Sequence, residues 1–287
     1  MHGKNSVKKI GINMNKPDIN FIAEMARKLR LDVITMLHAA KSGHPGGALS
    51  SADIISTLYF GDMLKVDPEN PYDNSRDLFV LSAGHYCPVW YAALARRGFF
   101  PVEELITLRK MGSRLLGHPK IKVLPGIENS GGSLGQGFSI ACGYAYAAKK
   151  FGTTDQEVYC LLGDGEQNEG QVWEAAMFSS HLNLSNLCAI IDVNKIQIDG
   201  FTSEIMNSEP LDKKYEAFGW NVIRINGNDI SQIIEAINNF KNEENRPTVI
   251  VADTIAGKGV SFLEGTVASH GKWITDEECR IATKELS

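Results

Sequence analysis

Five short, largely apolar runs constrain this chain more than any other feature. Each closes on a glycine- or amide-rich turn, and helical stretches separate them. Residues 77–82 run into Ala83-Gly84-His85, and residues 157–162 into Gly163-Asp164-Gly165. Leu187–Val193 stops at Asn194, residues 221–225 at Asn226-Gly227-Asn228, and residues 247–254 shortly before Ala256-Gly257-Lys258. Helical patterns occupy 103–111, 137–150, 171–181, 211–218 and 229–240. Strands that are apolar throughout, rather than alternating, are covered on both faces. Joined by helices, they predict an α/β domain with a parallel sheet and helices on both faces. Ligands of such sheets bind outside the carboxyl ends of the strands, where the unusual residues of this chain gather.

Residues 1–20 are polar and read as a loose arm. A helix follows, with Asn20 as a candidate cap and apolar residues at Phe21, Ile22, Met25, Ala26, Leu29, Val33, Ile34 and Leu37. It stops at Ser42-Gly43-His44-Pro45-Gly46-Gly47, and a second apolar helix is expected over 51–63. No linker or repeat interrupts 21–287, which reads as one domain. The balance of 29 basic against 34 acidic residues, a net charge of -5, offers no field for nucleic acid or an anionic membrane. No apolar run reaches the ~20 residues that span a bilayer, and the amino terminus lacks a signal-peptide core. The 5 cysteines are scattered, without a paired motif, which argues against a disulfide framework or zinc cage and for a cytoplasmic protein.

The chemistry concentrates at Gly163-Asp164-Gly165-Glu166, after a buried strand, and at Asn194, 30 residues beyond Asp164 and again after a strand. Two glycines let backbone approach a bulky anion while the carboxylate points into the cleft. A hard divalent cation takes oxygen ligands, and Asp164 with the side-chain oxygen of Asn194 can supply two. The helix after Gly170 aims its positive end at the same place. The competing reading is an ordinary turn and a loop cap.

The pattern resembles the cofactor signature of thiamine diphosphate enzymes, and further blocks narrow the resemblance to the transketolase family. They are Ser42-Gly43-His44-Pro45-Gly46, Ser82-Ala83-Gly84-His85, Gly117-His118-Pro119, Gly132-Ser133-Leu134-Gly135-Gln136-Gly137, Gly163-Asp164-Gly165-Glu166 with Glu169-Gly170, Asn194 with Ile196, Ile198, Asp199 and Gly200, and Ser269-His270-Gly271. The resemblance implies a thiamine diphosphate-binding fold, with Mg2+ or Ca2+ held by Asp164, Asn194 and the Ile196 carbonyl. It places the cofactor against His85, Gly132, Ser133, Leu134, Gly165, Asn194 and His270. Glu169 matches a buried glutamate that links paired active sites. Its bland alternative is an acid at a helix N-terminus. His44, His85, His118 and His270 are implied to line the substrate channel and relay protons. Imidazole titrates near neutrality, as such a relay requires. His2, His38 and His181 read as structural.

The matched blocks correspond to the first half of a standard transketolase. The expectation is therefore one subunit of a two-chain enzyme transferring a two-carbon ketol unit between sugars. A companion chain would carry the pyrimidine-binding domain, in an assembly of two copies of each chain. Rival readings are the α subunit of a 2-oxo acid dehydrogenase, a deoxyxylulose-phosphate synthase relative, a transketolase for a sulfonated or branched ketose, and a non-catalytic scaffold. The Gly43-His44-Pro45 and Ser269-His270-Gly271 blocks favour transketolase. Departures are Lys120-Ile121-Lys122, where the family commonly has an acid, and Ser133 in place of a proline. A Walker loop fails because Ala252 stands at its first glycine, and Gly131 to Gly137 follows no strand that would support a dinucleotide fingerprint.

Overall fold

The computed structural model describes residues 17–152 and 155–287. His2 and most of the expected arm lie outside the described residues. Helix α1 (Ile19–Ala40) is capped by Asp18, not Asn20. The Asp18 carboxylate accepts the N–H groups of Asn20 and Phe21 at 3.0 and 3.2 Å. Apolar periodicity marks where a helix face is buried, whereas the cap is set by an acceptor ahead of the first turn. Next come α2 (Pro45–Ser50), α3 (Ala52–Phe60), β1 (Leu78–Leu81), α4 (Cys87–Arg97), α5 (Gln136–Phe151), β2 (Val158–Gly163), α6 (Gly170–His181) and β3 (Leu187–Val193). The chain continues through β4 (Ile196–Gln197), β5 (Gly200–Phe201), α7 (Thr202–Ile205), α8 (Leu211–Ala217), β6 (Asn221–Asn226), α9 (Ile230–Asn242), β7 (Thr248–Asp253) and α10 (Asp276–Glu285).

The five expected strands form one parallel sheet in the order β1-β2-β3-β7-β6. Strand residues alternate between two cores. Phe79, Leu81, Tyr159 and Leu161 face one layer, built from α1, α3, α4 and α9. Leu78, Val80, Val158, Cys160 and Leu162 face the other, built from α5, α6 and α8. The sheet is thus covered on both sides, and its turns are left free at the carboxyl edge. Between α1 and α3, Arg30 pairs with Asp53 at 2.6 Å, both largely buried at 7% and 6% exposure.

One local expectation is corrected. Residues 103–111 do not form an α-helix: Val102–Thr107 is a 3-10 turn. Leu105 and Leu108 alone are buried there, a spacing of three that suits the tighter helix. The first helix ends at Ala40, ahead of the 42–47 segment as expected, and Pro45 opens α2 at its first turn, where its missing N–H is harmless. Helix α4 carried no periodic signal, since Cys87 to Ala95 are all buried. Helix α10 buries only Ala282, and its legible mark was the capping box of Thr275 and Glu278.

Candidate active site

A cleft of about 220 Å³ opens above the carboxyl ends of β1, β2 and β3. It is lined by His44, His85, His118, Gly132, Leu134, Asp164, Gly165, Glu166, Ile196 and His270 among others. A larger hollow of about 570 Å³ lies at the opposite, amino edge of the sheet, lined by lysines, acids and Asn186. It holds none of the motif residues.

Local chemistry explains how each histidine arrives. His44 precedes proline and is accordingly extended, at φ -124° and ψ 91°. His85 rides on a 3-10 turn directly after β1. A Cβ at Gly84 would lie 2.8 Å from the Gly132 nitrogen, so only glycine lets these two loops touch. The Gly131 N–H donates to the Pro119 carbonyl at 2.9 Å, which draws the His118 loop onto the same surface. The loop after β7 is laced to the His44 loop through Gly257 N–H to Gly46 carbonyl and Lys272 N–H to Gly43 carbonyl, each 3.0 Å. This brings His270 in from a site more than 200 residues away in sequence. The rings of His44, His85 and His270 stand 5.3–5.7 Å apart, centroid to centroid.

Burial holds these rings neutral, aided for His44 and His85 by the neighbouring histidines. His44 is pushed down to about 4, first by desolvation, then by His270, Arg109 and His118. His85 is held well below the ordinary imidazole value for the same kinds of reason. His118 and His270 are lowered as well, chiefly by burial. A neutral imidazole offers one ring nitrogen as acceptor and one N–H as donor, and Nδ1 of His44 is buried with no hydrogen-bond partner.

Asp164 and Asn194 stand at the ends of the neighbouring strands β2 and β3, paired through Gly163 and Asp192. Their oxygens converge on one turn. Asp164 Oδ2 accepts the Lys195 N–H at 2.8 Å, and Asn194 Oδ1 accepts the Ile196 N–H at 3.0 Å. Asp164 is 2% exposed, and burial followed by the field of Asp192 raises its carboxyl to about 7. A buried carboxylate with only N–H donors around it is short of positive charge, and this donor set of carboxylate, amide and backbone oxygens fits a hard divalent cation. Among the described residues no cluster of three His, Cys, Asp or Glu could hold a metal, so a cation here needs those neutral oxygens. Gly165 adds no side chain, and a Cβ there would lie 3.2 Å from Gln197.

Other expected residues sit apart from the cleft. Ser133 is exposed on the Gly132 loop. Glu169 is exposed in this single chain at the N-cap of α6, without a side-chain capping bond, where a residue linking sites across an interface would stand. Glu166, three residues earlier, is buried at 2% exposure. Its carboxylate accepts Ser82 Oγ–H, Gly135 N–H and Gly163 N–H at 2.5, 2.6 and 3.0 Å. It ties the turns after β1 and β2 to the start of α5. His38 pairs with Asp276 at 2.8 Å, and His181 is exposed at the end of α6. Sequence reasoning missed Arg109, which bends back at φ 60° and donates to Ser42 Oγ at 2.9 Å, close enough to depress His44 and His118. Its only signal was a position eight residues before the Gly117-His118-Pro119 block.

Residues 21–287 match the family model described as transketolase, thiamine diphosphate binding domain. The 6-deoxy-6-sulfo-D-fructose transketolase subunit SqwG of Clostridium sp. (strain MSTE9) is 44% identical over 94% of this chain and 96% of its own length. An apulose-4-phosphate transketolase subunit of Phocaeicola vulgatus is 40% identical over 91% of this chain and 92% of its own. The crystal structure of transketolase from Campylobacter jejuni superposes with a TM-score of 0.88 at 36% identity, covering 94% of this chain and 43% of that one. The chain thus spans about two-fifths of that longer transketolase, but nearly all of the two shorter relatives. No helix among the described residues is long and apolar enough to cross a membrane. Sequence blocks, sheet order and site geometry meet in one conclusion: the chain belongs to the transketolase family and is built as its thiamine diphosphate-binding domain.

Proposed function

We propose that this chain is the diphosphate-binding subunit of a two-chain transketolase. It moves a two-carbon ketol unit from a ketose to an aldose, and a companion chain completes its cleft. The single observation that carries the reading is the convergence of Asp164 and four neutral histidines on one cleft at the strand ends, with the Asn194 oxygen on the adjoining turn. Two relatives of nearly the same length, each named as a transketolase subunit, support the division into two chains.

Asp164, Asn194 and the Ile196 carbonyl would hold Mg2+ or Ca2+, with the diphosphate against Gly165, His85 and His270 and the Gly132–Leu134 loop beside it. When bound, thiamine diphosphate supplies the thiazolium that stabilises a carbanion next to a carbonyl. The protein supplies proton handling. His44, His85, His118 and His270, kept neutral by burial, accept and return protons at the substrate's hydroxyls. Arg109, beside His44 and His118, suits a ketose with an anionic tail, phosphate or sulfonate, in keeping with the substrates in the relatives' names. A cleft walled by one chain admits water, and a carbanion needs it excluded. That requirement assigns the companion the role of lid. Two copies of each chain is the assembly proposed, and residues 21–287 form a single domain within it.

The test is reconstitution with the companion chain, assayed against ketose donors bearing phosphate or sulfonate. The chain alone is expected to show no ketol transfer, and the pair to show it. Full turnover by the isolated chain would refute the two-chain reading. Asp164→Ala is expected to abolish metal-dependent cofactor binding and leave the fold intact. An unchanged titration would remove Asp164 from the metal site.

A further inference from the structure

Beneath the turns that face the cleft lies a carboxylate that no sequence block contains. Asp192, near the end of β3, is fully buried at 0% exposure. Its Oδ1 accepts Thr254 Oγ1–H at 2.5 Å, and its Oδ2 accepts Ser50 Oγ–H at 2.7 Å and Asn194 Nδ2–H at 2.8 Å. The Tyr86 hydroxyl accepts from the same Asn194 Nδ2 at 2.9 Å. No cation pairs with Asp192 in this cluster. Donor hydrogens alone offset its burial.

A carboxylate can only accept, so it dictates which end of the Asn194 carboxamide turns inward. Both Nδ2 hydrogens are taken by Asp192 and Tyr86, and Oδ1 is left on the Ile196 N–H, next to the Lys195 N–H that Asp164 accepts. We infer that Asp192 is a positioning residue that presents the Asn194 oxygen to the cofactor's cation. Through Ser50 it also anchors α2, the helix that follows His44. Through Asn194 Nδ2, which also donates to Tyr86, it is linked to the turn that carries His85. An asparagine at 192 would fill the same space but offer an N–H where the network needs an acceptor. The inference rests on the metal-site reading above and adds to it a residue that never touches the ion.

The experiment measures Mn2+ binding to the full chain at saturating thiamine diphosphate, reading free Mn2+ by electron paramagnetic resonance. Thermal unfolding without metal is followed in parallel. Asp192→Asn is expected to weaken Mn2+ by about ten-fold or more, the size typical of residues that orient ligands. The metal-free unfolding temperature should change little. The exchange Asp192→Asn with Asn194→Asp reverses the donor and acceptor between the two positions and keeps an oxygen towards the ion. Ser50 can then give its proton to the Gly47 carbonyl, 3.0 Å away. The exchange is expected to recover most of the affinity, which a merely structural role would not explain. Wild-type affinity in Asp192→Asn overturns the inference, as does a folded exchange variant that binds no better than the single one. If Asp192→Asn does not fold, the exchange variant decides by the same criterion, and failure of both to fold also overturns the inference. Asp164→Ala separates the two readings. If it leaves Mn2+ binding intact, or the unsubstituted chain binds none, the metal site itself is wrong. If it abolishes binding while Asp192→Asn does not, only the role of Asp192 falls.

Discussion

Gly47 lies inside α2, and its missing side chain is what lets Tyr86 reach the site. A Cβ built there would stand 1.8 Å from Tyr86 Cε1, 2.1 Å from Cζ and 2.4 Å from Cδ1. Ordinary contact starts at 3.4 Å, so in Gly47→Ala the ring must retreat by about 1.6 Å. The ring is walled in, at 3% exposure. A retreat of that size breaks the 2.9 Å bond from Asn194 Nδ2. Forcing a methyl into a packed core costs about 1–3 kcal/mol. Stranding a buried polar group costs about 1–3 kcal/mol more. The expected loss is therefore about 2–6 kcal/mol, read as a fall of at least about 4 °C in unfolding temperature. Gly143→Ala is the control, because nothing lies within 4 Å of a Cβ there and the residue sits mid-helix in α5. That change should stabilise by about 0.5–1 kcal/mol. Calorimetric titration with Mg2+ and thiamine diphosphate should show weakened binding for Ala at 47 and unchanged binding for Ala at 143. If both variants unfold alike and titrate alike, Tyr86 is not wedged as described and the reasoning fails.

Two further perturbations test other parts of the fold. Arg30→Met removes the only cation among the described residues that pairs with buried Asp53, which would keep the Asn228 amide at 2.8 Å. Denaturant unfolding should show a loss of about 3–5 kcal/mol, and a loss below 1 kcal/mol would mean the pair is not buried as described. The histidines predict a pH effect. A folded-state value lowered to about 4 means the unfolded chain binds protons first as pH falls. The stability tied to His44 is therefore complete above pH 6.5 and drains between 6.5 and 4. Asp77, held up at about 6 by burial, acts in the opposite direction, so the comparison must be with His44→Asn. Urea midpoints of the ligand-free chain should fall from pH 7.5 to pH 5 more steeply in wild type than in the variant. Equal slopes would contradict the neutral ring.

Strands β1, β2, β3 and β7 were legible because both their faces are covered, which leaves apolar runs too short for helix and too continuous for an exposed strand, whereas β6, half-exposed at the sheet edge, was read from its position between two turns. Gly163-Asp164-Gly165 and Asn194 were legible because close backbone approach and strand-end chemistry demand those residue types. Helix α4 was hidden by being buried on every side, and Glu166 because a glutamate among charged and polar neighbours looks like surface. Asp192 was hidden for a related reason, as one acid at the end of a run already read as a strand.

Sequence by itself determined the layer architecture, the turns at the strand ends and the residue types gathered there, since these follow from local periodicity and from what glycine, proline and histidine can do. Tertiary structure decided the strand order, the meeting of His44, His85 and His270, the placing of Arg109 beside them, and the burial of Glu166 and Asp192. Those facts depend on contacts between segments up to 226 residues apart, from His44 to His270. A carboxylate's role is fixed by which donors surround it in space, and no local pattern in the chain encodes that.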